Sequence, residues 1–178
     1  MRDFGTLKGL AGFIFGSTFG FIVGMLLMMT SMKAEAYDAN GEAFCLAKNI
    51  YFEARGESLT GKIAVANVTM NRVEHYKYPS TVCGVVTQAK WYTNWKGNRL
   101  PRRNQCQFSW FCDGKADVPI DMKAYKDSVR VAEVVYHGYR DLTDGSLFYH
   151  NTKVEPYWVA SMVRTKSIGA HVFYRYSR

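Results

Sequence analysis

The chain reads AKNIYFEARGESLTGKIAVANVTMNRV over residues 47–73, and this stretch predicts two helices. The first helix ends near Gly56 and the second follows it. Apolar residues recur at helical spacing in the second helix, at Ile63, Ala66, Met70 and Val73. Glu53 and Glu57 therefore lie where a buried helix gives way to a turn. Burial of a carboxyl group there raises its pKa towards the range of a general acid.

The spacing of these two glutamates is also typical of an ordinary surface feature. Glu-x-x-x-Glu with Arg55 between them is common at solvated, salt-bridged helix ends. The pattern alone does not separate a catalytic carboxylate from a surface ion pair.

Several segments resemble the spore cortex-lytic (SleB-type) cell-wall hydrolases. The first is YFEARGE at 51–57, followed by GKIAVANVTMNRV at 61–73. Later segments resemble later blocks of that family in the same order: YPSTVCGVV at 78–86, QFS at 107–109 and IGAHVFY at 168–174. The resemblance covers about residues 43–175. It implies a lysozyme-like or lytic-transglycosylase-like domain that cleaves the glycan strand of peptidoglycan.

The resemblance also implies the catalytic group. Glu53, the first glutamate of the EARGE string, matches the acid of a lytic transglycosylase, which works with a single carboxyl group. Glu57 is the reserve candidate, or a supporting partner of Arg55. A hydrolytic muramidase is the nearest alternative, and it needs a second carboxylate about 5–9.5 Å away. Glu57, Asp113 and Asp117 are available for that role, and no pattern selects one.

Two further alternatives belong to other classes. A zinc-dependent muramoyl amidase needs about three ligands around an open position. The histidines, which show neither His-x-x-x-His nor His-Glu-x-x-His spacing, are His75, His137, His150 and His171. A non-catalytic wall-binding module is the other alternative. We expect neither a metal nor a cofactor, and we expect His137 to be a surface residue.

The resemblance implies a set of substrate-binding residues around the catalytic group. They lie in an aromatic string before Cys112 and in the C-terminal strands: Gln107, Ser109, Trp110, Tyr149, His150, Asn151 and His171. Each could instead be a satisfied polar or core residue.

The N-terminal segment predicts export. Residues 9–32 carry no charge and are long enough to span a bilayer as a helix, with positive charge before them. Either this segment is retained as an inner-membrane anchor facing the periplasm and wall, or cleavage after Ala36 releases the enzyme. Glycines at four-residue spacing suit close helix approach and self-association: Gly12, Gly16, Gly20 and Gly24.

The net charge of +8 favours an acidic polymer as partner. Cations alternate with aromatic residues in one stretch: Lys90, Trp91, Tyr92, Trp95, Lys96, Arg99, Arg102 and Arg103. This composition would also suit single-stranded nucleic acid. We favour loop packing or contact with glycan strands, and we expect no nucleic-acid partner.

The cysteines predict two disulfides in an exported protein. Cys45, Cys83, Cys106 and Cys112 form no Cys-x-x-Cys pair, so a structural zinc site is not expected. A bridge from Cys106 to Cys112 is one possible pairing, and the sequence leaves the connectivity open.

The remaining pattern predicts a mostly helical α+β domain over residues 43–178, after a linker at 37–42. Helices are expected at 43–54 and at 60–74, the second with Thr60 as a candidate cap. A short helix or turn is expected from 82 to 86, followed by a long loop at 91–120. Asp121 would cap a further helix with one face formed by Tyr125, Val129, Ala132, Tyr136 and Tyr139. After a turn at Asp144-Gly145, strands are expected at 146–150 and 172–176 as partners in a small sheet.

Overall fold

The computed structural model describes residues 41–138 and 140–177. The predicted membrane segment at 9–32, the cleavage site at Ala36 and Tyr139 lie outside these residues. Within them, no helix combines the length and the apolar character needed to cross a membrane.

The core is built from four packed helices. Helix α1 spans Glu42–Ala54, α2 Leu59–Glu74, α3 Val82–Val86 and α4 Met122–Tyr136. The first, second and third helices begin and end close to the predicted positions. Their apolar faces share one buried cluster, which includes Leu46, Ala47, Ile50, Val82, Val85, Val131, Ala132 and Val135. Burial of this cluster is the main source of stability for the domain.

The helix caps confirm one prediction and correct another. The Oδ1 atom of Asp121 accepts hydrogen bonds from the backbone N–H groups of Lys123 and Ala124, both at 3.0 Å, as expected for the cap of α4. The cap of α2 is Ser58, whose Oγ accepts from Gly61 N at 3.2 Å. Thr60 was the wrong choice because the helix begins earlier, at Leu59.

The buried face of α4 is rotated from the predicted one. The buried residues of this helix are Ser128, Val131, Ala132 and Val135. Tyr136 is 38% exposed, whereas Ala132 lies in the core and Tyr125 and Val129 pack against it. His137 follows the helix at the surface, as predicted, and its Nε2 lies 3.4 Å from Glu133 Oε2.

A small antiparallel sheet packs on α2. Its strands are β3 at Phe148–Asn151, β4 at Met162–Ile168 and β5 at His171–Tyr176, in the order β3-β5-β4. The predicted pairing of the two terminal strands is confirmed. The sequence reading missed β4, whose central residues are mostly exposed and therefore lack an apolar alternation. The α+β class is confirmed.

The predicted loop at 91–120 is wrong for its first half. Strands β1 at Ala89–Thr93 and β2 at Arg99–Cys106 form an antiparallel hairpin, and Ser109–Cys112 form a 3-10 helix. The turn of the hairpin is closed by Asn94, whose backbone N–H donates to Asn98 O at 2.9 Å. Because both faces of the hairpin are largely exposed, its sequence lacks the regular spacing of buried apolar residues that predicts a strand.

Both disulfides form, and each ties a helix or strand to its neighbour. Cys45 of α1 bonds to Cys83 of α3, and Cys106 at the end of β2 bonds to Cys112. The predicted Cys106–Cys112 bridge is confirmed. It fixes the base of the hairpin against the domain.

Candidate active site

A cavity of about 300 Å³ opens between the helices and the small sheet. Parts of the chain that are distant in sequence meet there: the end of α1, the last turns of α2, the segment after β2, and the start of β3. The lining residues are Glu53, Arg72, Cys106, Gln107, Phe108, Ser109, Phe148, Tyr149 and Trp158. Glu53 is the one carboxylate among these described residues.

The surroundings of Glu53 favour its protonated form. The side chain is half-buried, and the Tyr149 hydroxyl donates a hydrogen bond to its Oε2 at 3.0 Å. Burial raises the pKa of Glu53 above its ordinary value, and the Tyr149 hydrogen bond and the charge of Arg72 oppose this only in part. A carboxyl group whose pKa is raised holds its proton to a higher pH, which suits a general acid.

Helix α1 fixes the direction of the Glu53 side chain. Asn49 lies one turn before it on the same face and is fully buried, where it donates to Thr69 Oγ1 at 3.1 Å. Its Oδ1 accepts from Trp110 Nε1 at 3.0 Å. This buried network prevents the last turn of α1 from rotating, so Glu53 stays at the cavity.

Arg72 brings a buried positive charge to the cavity. Its residue is only 4% exposed, and its Nε donates to Leu147 O at 2.8 Å. The guanidinium lies 5.0 Å from the ring centre of Phe108 and 5.5 Å from that of Tyr78. Its Nη1 atom meets no hydrogen-bond acceptor among the described residues. Arg72 therefore brings a positive charge to the wall of the cavity that Glu53 also lines.

Glu57 is held away from this cavity. Its Oε2 accepts from Ala170 N at 3.1 Å, and its Oε1 lies 3.9 Å from His171 Nδ1. A methyl group at Gly169, where φ is +59°, would overlap the same Oε2 atom. Arg55, the predicted partner of Glu57, lies over the ring of Tyr51 instead. Glu57 therefore joins the start of α2 to the β4–β5 turn.

A sequence profile described as cell wall hydrolase matches residues 56–174, well over half of the chain. The chain belongs to the cell wall hydrolase family. Glu53 lies just before the matched residues.

The curated relatives of this cell wall hydrolase are spore cortex-lytic enzymes. The Bacillus cereus enzyme is 27% identical over 129 residues, 72% of this chain and 42% of the relative. The Bacillus subtilis enzyme is 27% identical over 137 residues, 76% and 38% respectively. The enzyme of Oceanobacillus iheyensis is 30% identical over 129 residues, 72% and 39%. The chain thus spans about two fifths of the length of these relatives.

Two solved structures share the fold of this hydrolase. The catalytic domain of the Bacillus cereus SleB protein aligns with a TM-score of 0.55 and 28% identity, covering 79% of this chain and 94% of that domain. The catalytic domain of the germination-specific lytic transglycosylase SleB from Bacillus anthracis aligns with a TM-score of 0.56 and 27% identity, covering 79% and 98%. The described domain therefore corresponds to the catalytic part of those proteins.

The predicted substrate-binding residues of the hydrolase separate into two groups. Gln107, Ser109 and Tyr149 line the cavity with Glu53. Trp110 does not: it is buried and stacks on Phe52 at 4.6 Å, so its ring contributes to the core and not to a sugar-binding surface.

The other predicted residues lie behind or beside the cavity. His150 Nε2 lies 3.0 Å from the Tyr174 hydroxyl, and Asn151 Oδ1 accepts from Lys153 N at 3.0 Å. His171 is buried beneath Tyr149, with the ring centres 5.2 Å apart. Burial lowers the pKa of His171, and the charge of Glu57 opposes this shift.

Sequence reasoning missed two aromatic residues of the cavity, Phe148 and Trp158. Their ring centres lie 5.8 Å apart, because the 3-10 helix at Tyr157–Ser161 folds back over the start of β3. The sequence signal for this part of the cavity was Trp158, which follows the predicted strand at 146–150 and had no assigned role. Its ring is half-buried and lines the cavity, whereas that of Trp110 lies in the core.

The remaining candidates for a second carboxylate lie elsewhere. Asp113 pairs with Lys115, with Nζ and Oδ2 3.7 Å apart. Burial raises the pKa of Asp117, with Lys48 opposing and Asp113 adding to the shift. Neither lines the cavity. Across residues 41–138 and 140–177, no group of three His, Cys, Asp or Glu side chains is arranged to hold a metal ion.

Proposed function

We propose that this cell wall hydrolase cleaves peptidoglycan glycan strands between N-acetylmuramic acid and N-acetylglucosamine, as a lytic transglycosylase. The observation that carries the proposal is the lone carboxylate of the cavity, Glu53, whose burial raises its pKa. The likeness to the catalytic domain of the Bacillus anthracis lytic transglycosylase supports it. The lysozyme-like architecture implied by the sequence resemblance is part of the same proposal.

The reaction needs one group that gives a proton and then takes one. The Glu53 carboxyl donates its proton to the bridging glycosidic oxygen as the bond from that oxygen to C1 of the muramoyl residue breaks. The resulting carboxylate then accepts the proton of the muramoyl 6-hydroxyl, while the oxygen of that hydroxyl bonds to C1. The products are a 1,6-anhydromuramoyl end and a new N-acetylglucosamine end, and no water is consumed.

Tyr149 and Arg72 stabilise the carboxylate that exists between the two proton transfers. The hydroxyl of Tyr149 already donates to Oε2, and burial together with the charge of Glu53 raises the pKa of Tyr149, so it remains a donor. Arg72 supplies a positive charge within the same wall. Both interactions strengthen when the carboxyl ionises, which is the requirement for lowering the barrier.

The substrate is held by the rest of the cavity wall. Gln107 and Ser109 supply hydrogen-bonding groups for hydroxyl or acetamido substituents, and Trp158 supplies a ring face for a sugar. Glu57 and His171 act as supporting residues, since they hold the β4–β5 turn behind Tyr149.

The site of action requires export of residues 43–178. We propose that residues 1–36 serve as signal or inner-membrane anchor, with the uncharged segment at 9–32 and a linker at 37–42. Retention and cleavage after Ala36 both deliver the domain to the periplasm and cell wall. In the retained form, the glycine stripe from Gly12 to Gly24 would allow self-association.

Mass spectrometry of the fragments released from purified peptidoglycan tests the proposal. The 178-residue chain should release anhydro-muropeptides, and Glu53→Gln should abolish them. Reducing-end sugars that depend on Glu53 would indicate a muramidase. Free stem peptides, unaffected by Glu53→Gln and lost with a chelator, would indicate a zinc amidase. The absence of any release with retained wall binding would indicate a binding module.

A further inference from the structure

The hairpin of β1 and β2, residues 89–106, is strongly basic. We refer to it as the basic hairpin. Its sequence contains no aspartate or glutamate, and its cations are Lys90, Lys96, Arg99, Arg102 and Arg103. Among the described residues, none of these cations forms an ion pair with a carboxylate of the domain. The positive charge of the hairpin is therefore uncompensated.

Aromatic rings hold three of these cations in place without neutralising them. Arg99 lies 4.9 Å from the ring centre of Trp91, and Arg102 lies 5.7 Å from that of Tyr92. Lys96 lies 4.8 Å from the ring of Trp95, which is 89% exposed at the turn. Cation–π contacts of this kind reduce the freedom of long side chains while leaving their charge available. The arrangement resembles a prepared binding surface for anions.

The basic hairpin adjoins the catalytic cavity. Gln107 N donates to Gln88 O at 2.8 Å, and the Cys106–Cys112 disulfide fixes the end of β2. A second cavity, of about 440 Å³, lies along the base of the hairpin and is lined by Gln88, Ala89, Lys90, Gln105, Cys106 and Gln107. Cys106 and Gln107 line both cavities. A polymer that leaves the Glu53 cavity on this side meets the hairpin next.

We propose that the basic hairpin binds the carboxylates of the peptide stems carried by the glycan strand that occupies the Glu53 cavity. This inference rests on the proposed function, since it names a further part of the same substrate. Muramoyl residues alternate along the strand and carry stems with free carboxylates, so a strand in the cavity places negative charge beside the hairpin. The shared lining of the two cavities favours the substrate itself over a separate anionic polymer.

The contribution of the hairpin is electrostatic and should be sensitive to salt. Exposed charge pairs are individually weak, so affinity comes from several cations acting together. We expect the loss of Lys96, Arg99 and Arg102 to weaken binding to peptidoglycan about tenfold at low salt. The difference should shrink as the ionic strength rises.

The test uses binding to insoluble peptidoglycan, measured by co-sedimentation of the 178-residue chain in a Glu53→Gln background. The triple variant Lys96→Gln, Arg99→Gln, Arg102→Gln is compared with the triple variant Lys123→Gln, Lys126→Gln, Lys166→Gln, which removes the same charge from exposed positions elsewhere. Each is tested on cell walls that retain phosphate polymers, on peptidoglycan purified free of them, and on bead-immobilised glycan strands from which an amidase has removed the stems. Because the background lacks Glu53, the binding result stands whether or not the chain proves to be a transglycosylase.

The proposal predicts that only the hairpin variant loses affinity, and only for the substrate with stems. Exchange of Arg99 and Arg102 for Lys should preserve binding, and the single variant Lys96→Gln should show part of the loss even if the triple variant folds poorly. Equal loss on stem-free strands would overturn the proposal in favour of sugar contact. Loss confined to walls that retain phosphate polymers would assign the hairpin to those polymers, and equal binding by both triple variants would exclude a hairpin site.

Discussion

Glu53 and Glu57 belong to the same short EARGE string, yet they meet opposite surroundings. Glu53 ends α1 and faces a cavity, where its pKa is raised and a single tyrosine donates to it. Glu57 precedes α2 and is inserted into the β4–β5 turn, bonded to Ala170 N and close to His171. The tertiary surroundings of each glutamate, and not the EARGE string itself, therefore distinguish a reactive carboxyl group from a structural one.

The largest expected difference between the two glutamates is in catalysis. Glu53→Gln removes the proton donor and should lower the rate of glycan cleavage about 10²–10⁴-fold. Glu57→Gln keeps an acceptor for Ala170 N and should remain within a few-fold of the unmodified chain. Initial rates of muropeptide release, normalised to folded protein, check the pair. Equal losses of cleavage rate in the two variants would show that Glu53 and Glu57 do not differ in catalysis.

The next prediction concerns the stability of the turn that Glu57 supports. Gly169→Ala should lower the free energy of unfolding by about 1–3 kcal/mol, because φ is positive there and the new methyl group overlaps Glu57 Oε2. In a Glu57→Ala background the cost should fall, since the overlapping atom is gone. Urea unfolding of the four proteins completes the cycle.

Gly97→Ala provides the control for that cycle. Gly97 also has a positive φ, +83°, but nothing lies within 4 Å of an added methyl group. Its substitution should show the backbone cost alone and should not depend on Glu57. If the effects of Gly169→Ala and Glu57→Ala on the free energy of unfolding were strictly additive, the contact of Glu57 with the β4–β5 turn would be contradicted.

A smaller effect is expected in the pH dependence of cleavage. Tyr149→Phe removes the donor that favours ionised Glu53, so the pKa of Glu53 rises further and the alkaline limit of activity moves up by about one pH unit. Profiles of kcat/KM against pH measure the shift. Tyr174→Phe, which loses only a contact to His150, should leave the limit in place. A shift of the limit to lower pH would contradict the role of Tyr149.

The smallest effect is on stability near neutral pH. Because the pKa of Glu53 is raised in the folded state, its contribution to stability is fully present below the unfolded pKa and is lost as pH rises through the folded pKa. Glu53→Gln should therefore unfold at a slightly higher temperature than the unmodified chain at neutral pH, and at the same temperature in acid. Thermal unfolding at both pH values checks this, and destabilisation at neutral pH would show that Glu53 is a structural residue.

The sequence predicted the helices and strands whose buried apolar residues recur at regular spacing. Helix α1, helix α2 and the β3–β5 pairing have apolar residues at regular spacing, and the structure confirms them. The basic hairpin has no buried face, so its strands were taken for a loop. The exposed residues of β4 hid that strand for the same reason.

The candidate site was predictable only where a local motif marked it. Glu53 was selected from the EARGE string, and the structure brings Gln107, Ser109 and Tyr149 to it. The sequence gives no sign of the role of Arg72, because its contact with Leu147 O joins residues distant in sequence. Trp110 was expected at the cavity and lies in the core, whereas Trp158 had no predicted role and lines the cavity. Neither burial nor a shared cavity can be read from composition.

The most direct test of the account is whether water oxygen enters the product. The 178-residue chain is incubated with purified peptidoglycan in water enriched in oxygen-18, and the new muramoyl ends are examined by mass spectrometry. A single-carboxyl transglycosylase predicts anhydro ends without heavy oxygen, formed only when Glu53 is present. Heavy oxygen at reducing muramoyl ends would contradict it, because water would then be the nucleophile and a second carboxylate would be required.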